Sequence, residues 1–233
     1  MATSLRTINR PRSLSDQVYL TLREYLGSGQ LRSGQTLQEA AIAAQLGVSR
    51  TPVREVFARL ASEGLLDSDG RSFMVPELAE ADIEDIYELR LMLEPEALRK
   101  IASHITDRKQ TQAFRDELAI MTSAHEAGDV QAFNDANYRF RTAWLRLVTN
   151  ARLLRAIEQY ADHVRYLRAL TLGDKDNRQV VLKGLKRLAA ALTAGDPEAA
   201  AVAMRSHLQE AKRILSEALL ASNKESEGNG VQG

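Results

Sequence analysis

A chain of 233 residues, 44% hydrophobic and 27% charged, has the size and composition of one or two ordinary globular domains, each with length enough for a core. With no cysteine it forms neither disulfides nor thiolate metal sites, which fits a reducing compartment, and 31 basic residues balance 31 acidic ones, so net charge alone points to no polyanionic partner. The polar start MATSLRTINRPRS and the short apolar runs, of which Ala40 to Ala44 is among the longest, argue against a signal peptide and a membrane span.

Residues 1–12 read as a flexible arm carrying Arg6, Arg10 and Arg12 around Pro11. From Ser13, a plausible N-cap with Asp16, the series Leu14, Val18, Leu22, Leu26 predicts a helix ending near Gly27. Leu37, Ala40, Ala41, Ala44 and Leu46 pattern a second helix. A third runs from Ser49 to Glu63 after the turn Leu46-Gly47-Val48-Ser49. Ser49 suits its N-cap, Pro52 is tolerated because it falls in the first turn, and Val53, Val56, Phe57 and Leu60 form its apolar side. Arg50 and Arg54 lie one helical turn apart and leave the opposite side together. Beyond Gly64, two apolar segments flank Asp69-Gly70, a dipeptide suited to a tight hairpin turn. Three helices and a hairpin over residues 13–76 make a winged helix-turn-helix, whose third helix enters a DNA major groove. Residues 1–76, arm included, hold nine arginines and no lysine against seven acids, a surplus of two that agrees with DNA contact.

Residues 77–221 read as helix throughout, giving a mainly α chain. The expected helices are 82–103, kinked at Pro95, then 107–127, 129–148, 151–172, 176–194 and 197–221, with breaks at Gly128, Asn150, Gly173 and Gly195-Asp196. Residues 222–233, SNKESEGNGVQG, have the composition of a disordered tail.

Leu37, Glu39, Ile42-Ala43 and the run LGVSRTPVRE resemble the GntR superfamily of bacterial transcription regulators over residues 13–76. IYELRLMLEPEAL, Phe140, Asn150 and AGDPEAAAVAMRSHL resemble the all-helical FCD effector domain of its FadR subfamily. The resemblance implies DNA contact by Ser49, Arg50, Thr51 and Arg54, with Arg71 at the wing. It departs at Ala40, where many relatives carry arginine, and at Ser72, where a wing glycine is expected, so the operator is not to be borrowed from relatives. It also implies a divalent metal held by an aspartate, a histidine one turn later, and two histidines from the last two helices. Here those positions are Asn137, Arg141, Leu185 and His207, and an amide, a cation and an alkyl group do not replace metal ligands, so no metal or other cofactor is expected.

Phe133, Asn137, Arg141, Trp144 and Val148 form one core-facing stripe, Ile83, Ile86, Arg90, Leu93 and Ala97 a second, and Ala203, His207, Ala211 and Ile214 a third. A buried guanidinium requires a partner, so Arg90 and Arg141 pair either with internal acids, with water or with a ligand. In the last case Arg141 replaces the metal, and an organic acid is held by Arg90 and Arg141 with Asn137 and His207 completing its hydrogen bonds. His207 fits equally as a core histidine bonded to a backbone carbonyl; Tyr138 and Tyr166 are candidates to line the cavity.

The resulting expectation is a cytoplasmic, nucleoid-associated homodimer that reads a pseudo-palindromic operator on double-stranded DNA and represses a catabolic operon in response to a small organic acid. The alternative is a DNA-binding regulator whose helical domain only dimerises. An enzyme is excluded by the lack of a nucleophile–base pair, a phosphate loop or paired carboxylates.

Overall fold

The computed structural model describes residues 13–27, 31, 33–77 and 79–229. The chain divides into two compact units at Glu77. The arm expected over residues 1–12 lies outside the described residues.

In the first unit, α1 (Leu14–Leu26) starts at a capping box: the Ser13 hydroxyl accepts from the Asp16 amide at 3.1 Å, and the Asp16 carboxylate accepts from the Ser13 amide at 3.2 Å. Its buried stripe is Val18, Tyr19, Leu22 and Leu26; Leu14, expected to open that stripe, is half exposed. Strand β1 (Thr36–Leu37) precedes α2 (Glu39–Leu46), so Leu37 belongs to the sheet and not to the second helix. The face that α2 buries is Ile42 and Ala43, and Ala40, Ala41 and Ala44 are exposed, because a helix beginning at Glu39 turns those alanines to solvent.

The turn between α2 and α3 (Arg50–Ser62) needs a left-handed residue, and Gly47 provides it at φ 65°, while the Val48 amide closes onto the Ala43 carbonyl. Val53, Val56, Phe57 and Leu60 are at most 2% exposed. Each such side chain contributes about 1.5–3 kcal/mol by leaving water, and together they fix which side of α3 faces outward.

Strands β2 (Asp67–Ser68) and β3 (Phe73–Met74) follow, and β1 adds to β3 to give a three-stranded antiparallel sheet in the order β1-β3-β2. Ser68 pairs with Phe73, so the wing loop is the four residues 69–72 and not a two-residue turn. The Asp69 carboxylate organises it by accepting from the amides of Arg71 and Ser72 at 2.8 and 2.7 Å. Gly70 takes the loop's positive φ, 84°, and Ser72 does not adopt one.

The second unit is a helical bundle of α4 (Glu80–His104), α5 (Gln112–Ala127), α6 (Val130–Leu145), α7 (Ala151–Glu158), α8 (Ala161–Thr171), α9 (Lys175–Ala194) and α10 (Pro197–Asn229). Helix α10 packs along α4 and α9, and α5 packs on α6 and α9. Helix α4 runs on through the buried Pro95, and a 3-10 turn, Arg108–Thr111, precedes α5. Side chains of Asp129, Asn150 and Asp174 accept from the first-turn amides of α6, α7 and α9.

Several boundaries differ from the sequence reading: α5 starts at Gln112, after the 3-10 turn, and not at 107, and α6 ends at Leu145 and not at 148. The segment 151–172 is two helices, because Tyr160 leaves the helical basin at φ −105°, ψ 11° and packs against the core next to the buried Ile157. No glycine or proline marks that break; tertiary packing overrides local propensity. Helix α10 reaches Asn229, past the Ala221 end, since Lys224, Glu225 and Glu227 are adequate helix formers.

Candidate functional site

The outward side of α3 carries Ser49, Arg50, Thr51 and Arg54, all exposed, and Arg71 is exposed in the wing loop. Ser49 has the extended backbone of an N-cap, φ −71° and ψ 164°, but its hydroxyl accepts no hydrogen bond from the helix. The cap expected from residue type is thus a cap of backbone only.

A residue that the sequence reading did not single out as part of the site, Glu39 at the start of α2, organises the two arginines. Its Oε2 lies 3.3 Å from Arg50 Nη2 and its Oε1 3.8 Å from Arg54 Nε. The arginines keep 70% and 76% of their side-chain surface exposed, while Glu39 keeps 17%. One half-buried carboxylate therefore sets the direction of two solvent-facing guanidinium groups. The i, i+4 spacing of the arginines was visible in the sequence, and the turn that brings α2 alongside them was the only further signal available.

In the helical unit, Arg90, Asn137, Arg141 and His207 are each at most 4% exposed. They come from α4, α6 and α10. Of the partners open to the arginines, an internal acid is present: Glu94, 1% exposed, whose Oε1 accepts from Arg90 Nε and Arg141 Nη1, both at 2.9 Å. Glu94 lies one turn after Arg90, a spacing that could have revealed it; the stripe as read named its neighbour Leu93, which packs partly buried on the core, and not Glu94.

The pairing is incomplete. Arg90 Nη1 and Nη2, Arg141 Nε and Nη2, and Glu94 Oε2 make no hydrogen bond within the protein. Arg90 lies over the Tyr87 ring at 4.6 Å and Arg141 over Trp144 at 5.4 Å. A further cation that sequence reasoning missed, Arg168 of α8, donates from Nη1 to Asn137 Oδ1 at 2.6 Å. The remaining Asn137 amide nitrogen and His207 Nε2 are both buried and unbonded.

Burial raises the cost of Glu94's charge, but Arg141 and Arg90 outweigh it and hold the carboxyl down to about 2. Burial lowers Arg168 to about 9, with the like charges of Arg90 and Arg141 adding to the shift. Burial, then Arg168 and Arg90, push His207 down to about 3, so it is neutral.

Asn137, Arg168, Thr171, Tyr87 and His207 line an internal cavity of about 20 Å³, room for one water-sized group. Tyr166 is buried but does not border this space. Tyr138, the other tyrosine expected to line it, is 42% exposed and sits under Arg165 on the surface. His207 makes no bond to a backbone carbonyl among the described residues; its ring packs against α9 where Gly184 has no side chain.

Residues 14–75 match the bacterial regulatory proteins of the gntR family, and residues 85–210 match the FCD domain. The chain belongs to the GntR family, with an N-terminal helix-turn-helix and a C-terminal FCD domain as in the FadR subfamily. It is 34% identical over 184 residues to the probable D-xylose utilization operon transcriptional repressor of Paenarthrobacter nicotinovorans, covering 78% of this chain and 80% of that one. It is 32% identical over 142 residues to the Nta operon transcriptional regulator of Aminobacter aminovorans, covering 59% and 65%. Among solved structures, Escherichia coli McbR/YncC superposes with a TM-score of 0.78 at 27% identity, covering 89% of this chain and 99% of that one. The protein is a DNA-binding transcriptional regulator and not an enzyme. No helix among the described residues is long and apolar enough to cross a membrane.

Proposed function

We propose that this GntR regulator is a homodimeric repressor of a catabolic operon that binds a pseudo-palindromic operator through Ser49, Arg50, Thr51, Arg54 and Arg71, and leaves it when a small organic acid occupies the helical unit. A single recognition helix spans only a few base pairs, so two copies related by a two-fold axis supply the affinity. That the P. nicotinovorans relative is a probable repressor of a sugar-utilization operon supports the direction of control.

The observation that carries the effector reading is the set of unbonded guanidinium nitrogens on Arg90 and Arg141, in a site where protein dipoles leave them unsatisfied. Metal does not fit the donor set. Arg141 is committed to Glu94, Asn137 Oδ1 accepts from Arg168, and Leu185 is a buried alkyl group; among the described residues no three His, Asp or Glu side chains gather to hold an ion. The organic acid is read here as held by Arg90 and Arg141, with Asn137 and His207 donating or accepting beside them.

A second reading, a helical unit that dimerises and senses nothing, draws support from the cavity's size, about 20 Å³, and from Glu94 already bonded to both arginines. Thermal melting against a panel of organic acids separates the two. A saturable rise in Tm, together with weaker operator binding at the same concentrations, is the expected result. A flat Tm across the panel favours the dimerisation-only protein.

A further inference from the structure

The wing carries a carboxylate although its proposed partner is a polyanion. Asp69 opens the loop between β2 and β3, two positions before Arg71, and is exposed. By charge alone such a residue weakens contact with phosphates. One of its oxygens is nonetheless committed inward: Oδ1 accepts from the Arg71 amide at 2.8 Å and from the Ser72 amide at 2.7 Å. These backbone bonds, that of Arg71 first, hold the carboxyl below its ordinary range. The Gly70 amide donates to the Ser68 hydroxyl at 3.2 Å, so the amides of residues 70 to 72 are all held by the side chains of Ser68 and Asp69.

The base of the wing is keyed to α3. Phe73, the first residue of β3, meets Phe57 of α3 edge-on, with ring centroids 5.2 Å apart and planes at 63°. Phe57 lies on the apolar side of that helix, whose other side presents Arg50 and Arg54. Strand β3 is also paired on both edges, by β1 and β2. The strands are thus fixed relative to α3, and the loop between them is the remaining freedom. The Arg71 side chain is exposed and makes no hydrogen bond or ion pair among the described residues. The direction in which it leaves the loop is therefore set by the backbone that Asp69 holds.

Resting on the reading above that Arg71 meets DNA, we propose that Asp69 is a positioning residue for operator binding: its carboxylate fixes the backbone at Arg71 and Ser72, and so the direction from which the Arg71 guanidinium reaches the duplex. A loop that is ordered only when DNA closes on it loses backbone freedom at that moment, and this loss is taken from the binding energy. Ordering the loop in the free protein removes that loss. Two effects of opposite sign therefore meet in one side chain. The charge of Asp69 opposes phosphate, and its acceptor oxygen places the neighbouring arginine.

Alanine and asparagine at position 69 separate the two effects, since both remove the charge and only asparagine keeps a side-chain oxygen as acceptor. Affinity is read by fluorescence anisotropy of the full-length protein on a duplex that the wild type selects from a random-sequence pool. Asp69→Ala is expected to bind this duplex about fivefold more weakly than Asp69→Asn, the scale of one or two net hydrogen bonds. Both variants are expected to melt close to the wild type, because the position is exposed. Arg71→Ala is expected to bind more weakly than the wild type, and in its background the ratio between alanine and asparagine at position 69 is expected to fall to about one, because no guanidinium is left to place. Equal affinities of Asp69→Ala and Asp69→Asn with Arg71 present overturn the positioning role and leave the wing contact standing. A ratio that persists without Arg71 overturns it as well, since the ordered loop then acts through another group. Wild-type affinity in Arg71→Ala overturns both the positioning role and the wing contact.

Discussion

Oε1 of Glu94 on α4 accepts from Nη1 of Arg141 on α6 at 2.9 Å, with both side chains at most 5% exposed. The same oxygen accepts from Arg90, so one carboxylate ties two helices and compensates two guanidinium groups. Removing it leaves both cations in the core. Glu94→Ala is expected to destabilise the helical unit by about 3–5 kcal/mol, the usual consequence of orphaning a buried charge. Glu94→Gln retains an acceptor without the charge and falls between it and wild type. Chemical denaturation measures both; a Glu94→Ala cost below about 1 kcal/mol, the range of an exposed pair, means that solvent reaches the arginines.

The same cluster governs the response to acid. His207 ionises at about 3 in the folded protein, well below the ordinary histidine value of 6.5, because burial and then Arg168 and Arg90 oppose its proton. Between those limits the unfolded chain binds the proton and the folded chain does not, so stability rises with pH and is lost as pH falls below about 6.5. Glu94, held at about 2, adds a second loss in the same direction below about 4.5. One fully linked proton corresponds to a slope of about 1.4 kcal/mol per pH unit. Denaturation midpoints followed from pH 7 to pH 4.5 are expected to fall for the wild type and to flatten in His207→Gln; equal slopes in the two proteins mean that His207 protonates without penalty.

The helix-turn-helix was legible in the sequence because local rules agree there: the apolar face of α3 and the glycine turn before it depend on residues within about two helical turns. The sheet was half legible. Its hairpin follows from turn residues, but β1 is two residues long and is defined only by pairing with β3, a partner more than thirty positions away. In the helical unit, periodicity brought Arg90, Asn137, Arg141 and His207 to the interior, and it named Leu93, which packs partly buried on the core, but passed over the adjacent and fully buried Glu94. Arg168 escaped because its helix starts at an unmarked break after Tyr160, and a register assumed continuous from Ala151 carries no information past it.

On the exposed side of α3, proposed above to meet DNA, Glu39 pairs with Arg50 and Arg54, and a carboxylate there opposes phosphate. Glu39→Gln is therefore expected to strengthen binding to non-specific DNA a few-fold while reducing discrimination between the operator and single-base-pair variants. Arg50→Ala and Arg54→Ala are expected to lose about 1–3 kcal/mol each on the operator, most of it at the base pair read. Fluorescence anisotropy at two salt concentrations separates the effects, since a lost phosphate contact reduces the salt dependence and a lost base contact does not. If Glu39→Gln changes neither non-specific affinity nor the specificity ratio, the carboxylate only decorates α2.

Gly184 and His207 form the other contact whose size can be tested. A Cβ built on Gly184 falls 2.8 Å from His207 Nδ1, closer than real Cβ contacts come, and the ring it meets is buried. Two effects compete in Gly184→Ala. Alanine in place of a helical glycine stabilises by up to about 1 kcal/mol, whereas forcing an added methyl into a packed core costs about 1–3 kcal/mol. The clash is expected to win, giving a net loss, and the double variant Gly184→Ala with His207→Ala is expected to recover it because the ring is gone. A double-mutant cycle reads this coupling directly. Coupling near zero means that His207 swings away without cost; coupling above about 1 kcal/mol means that the imidazole is held in place against α9.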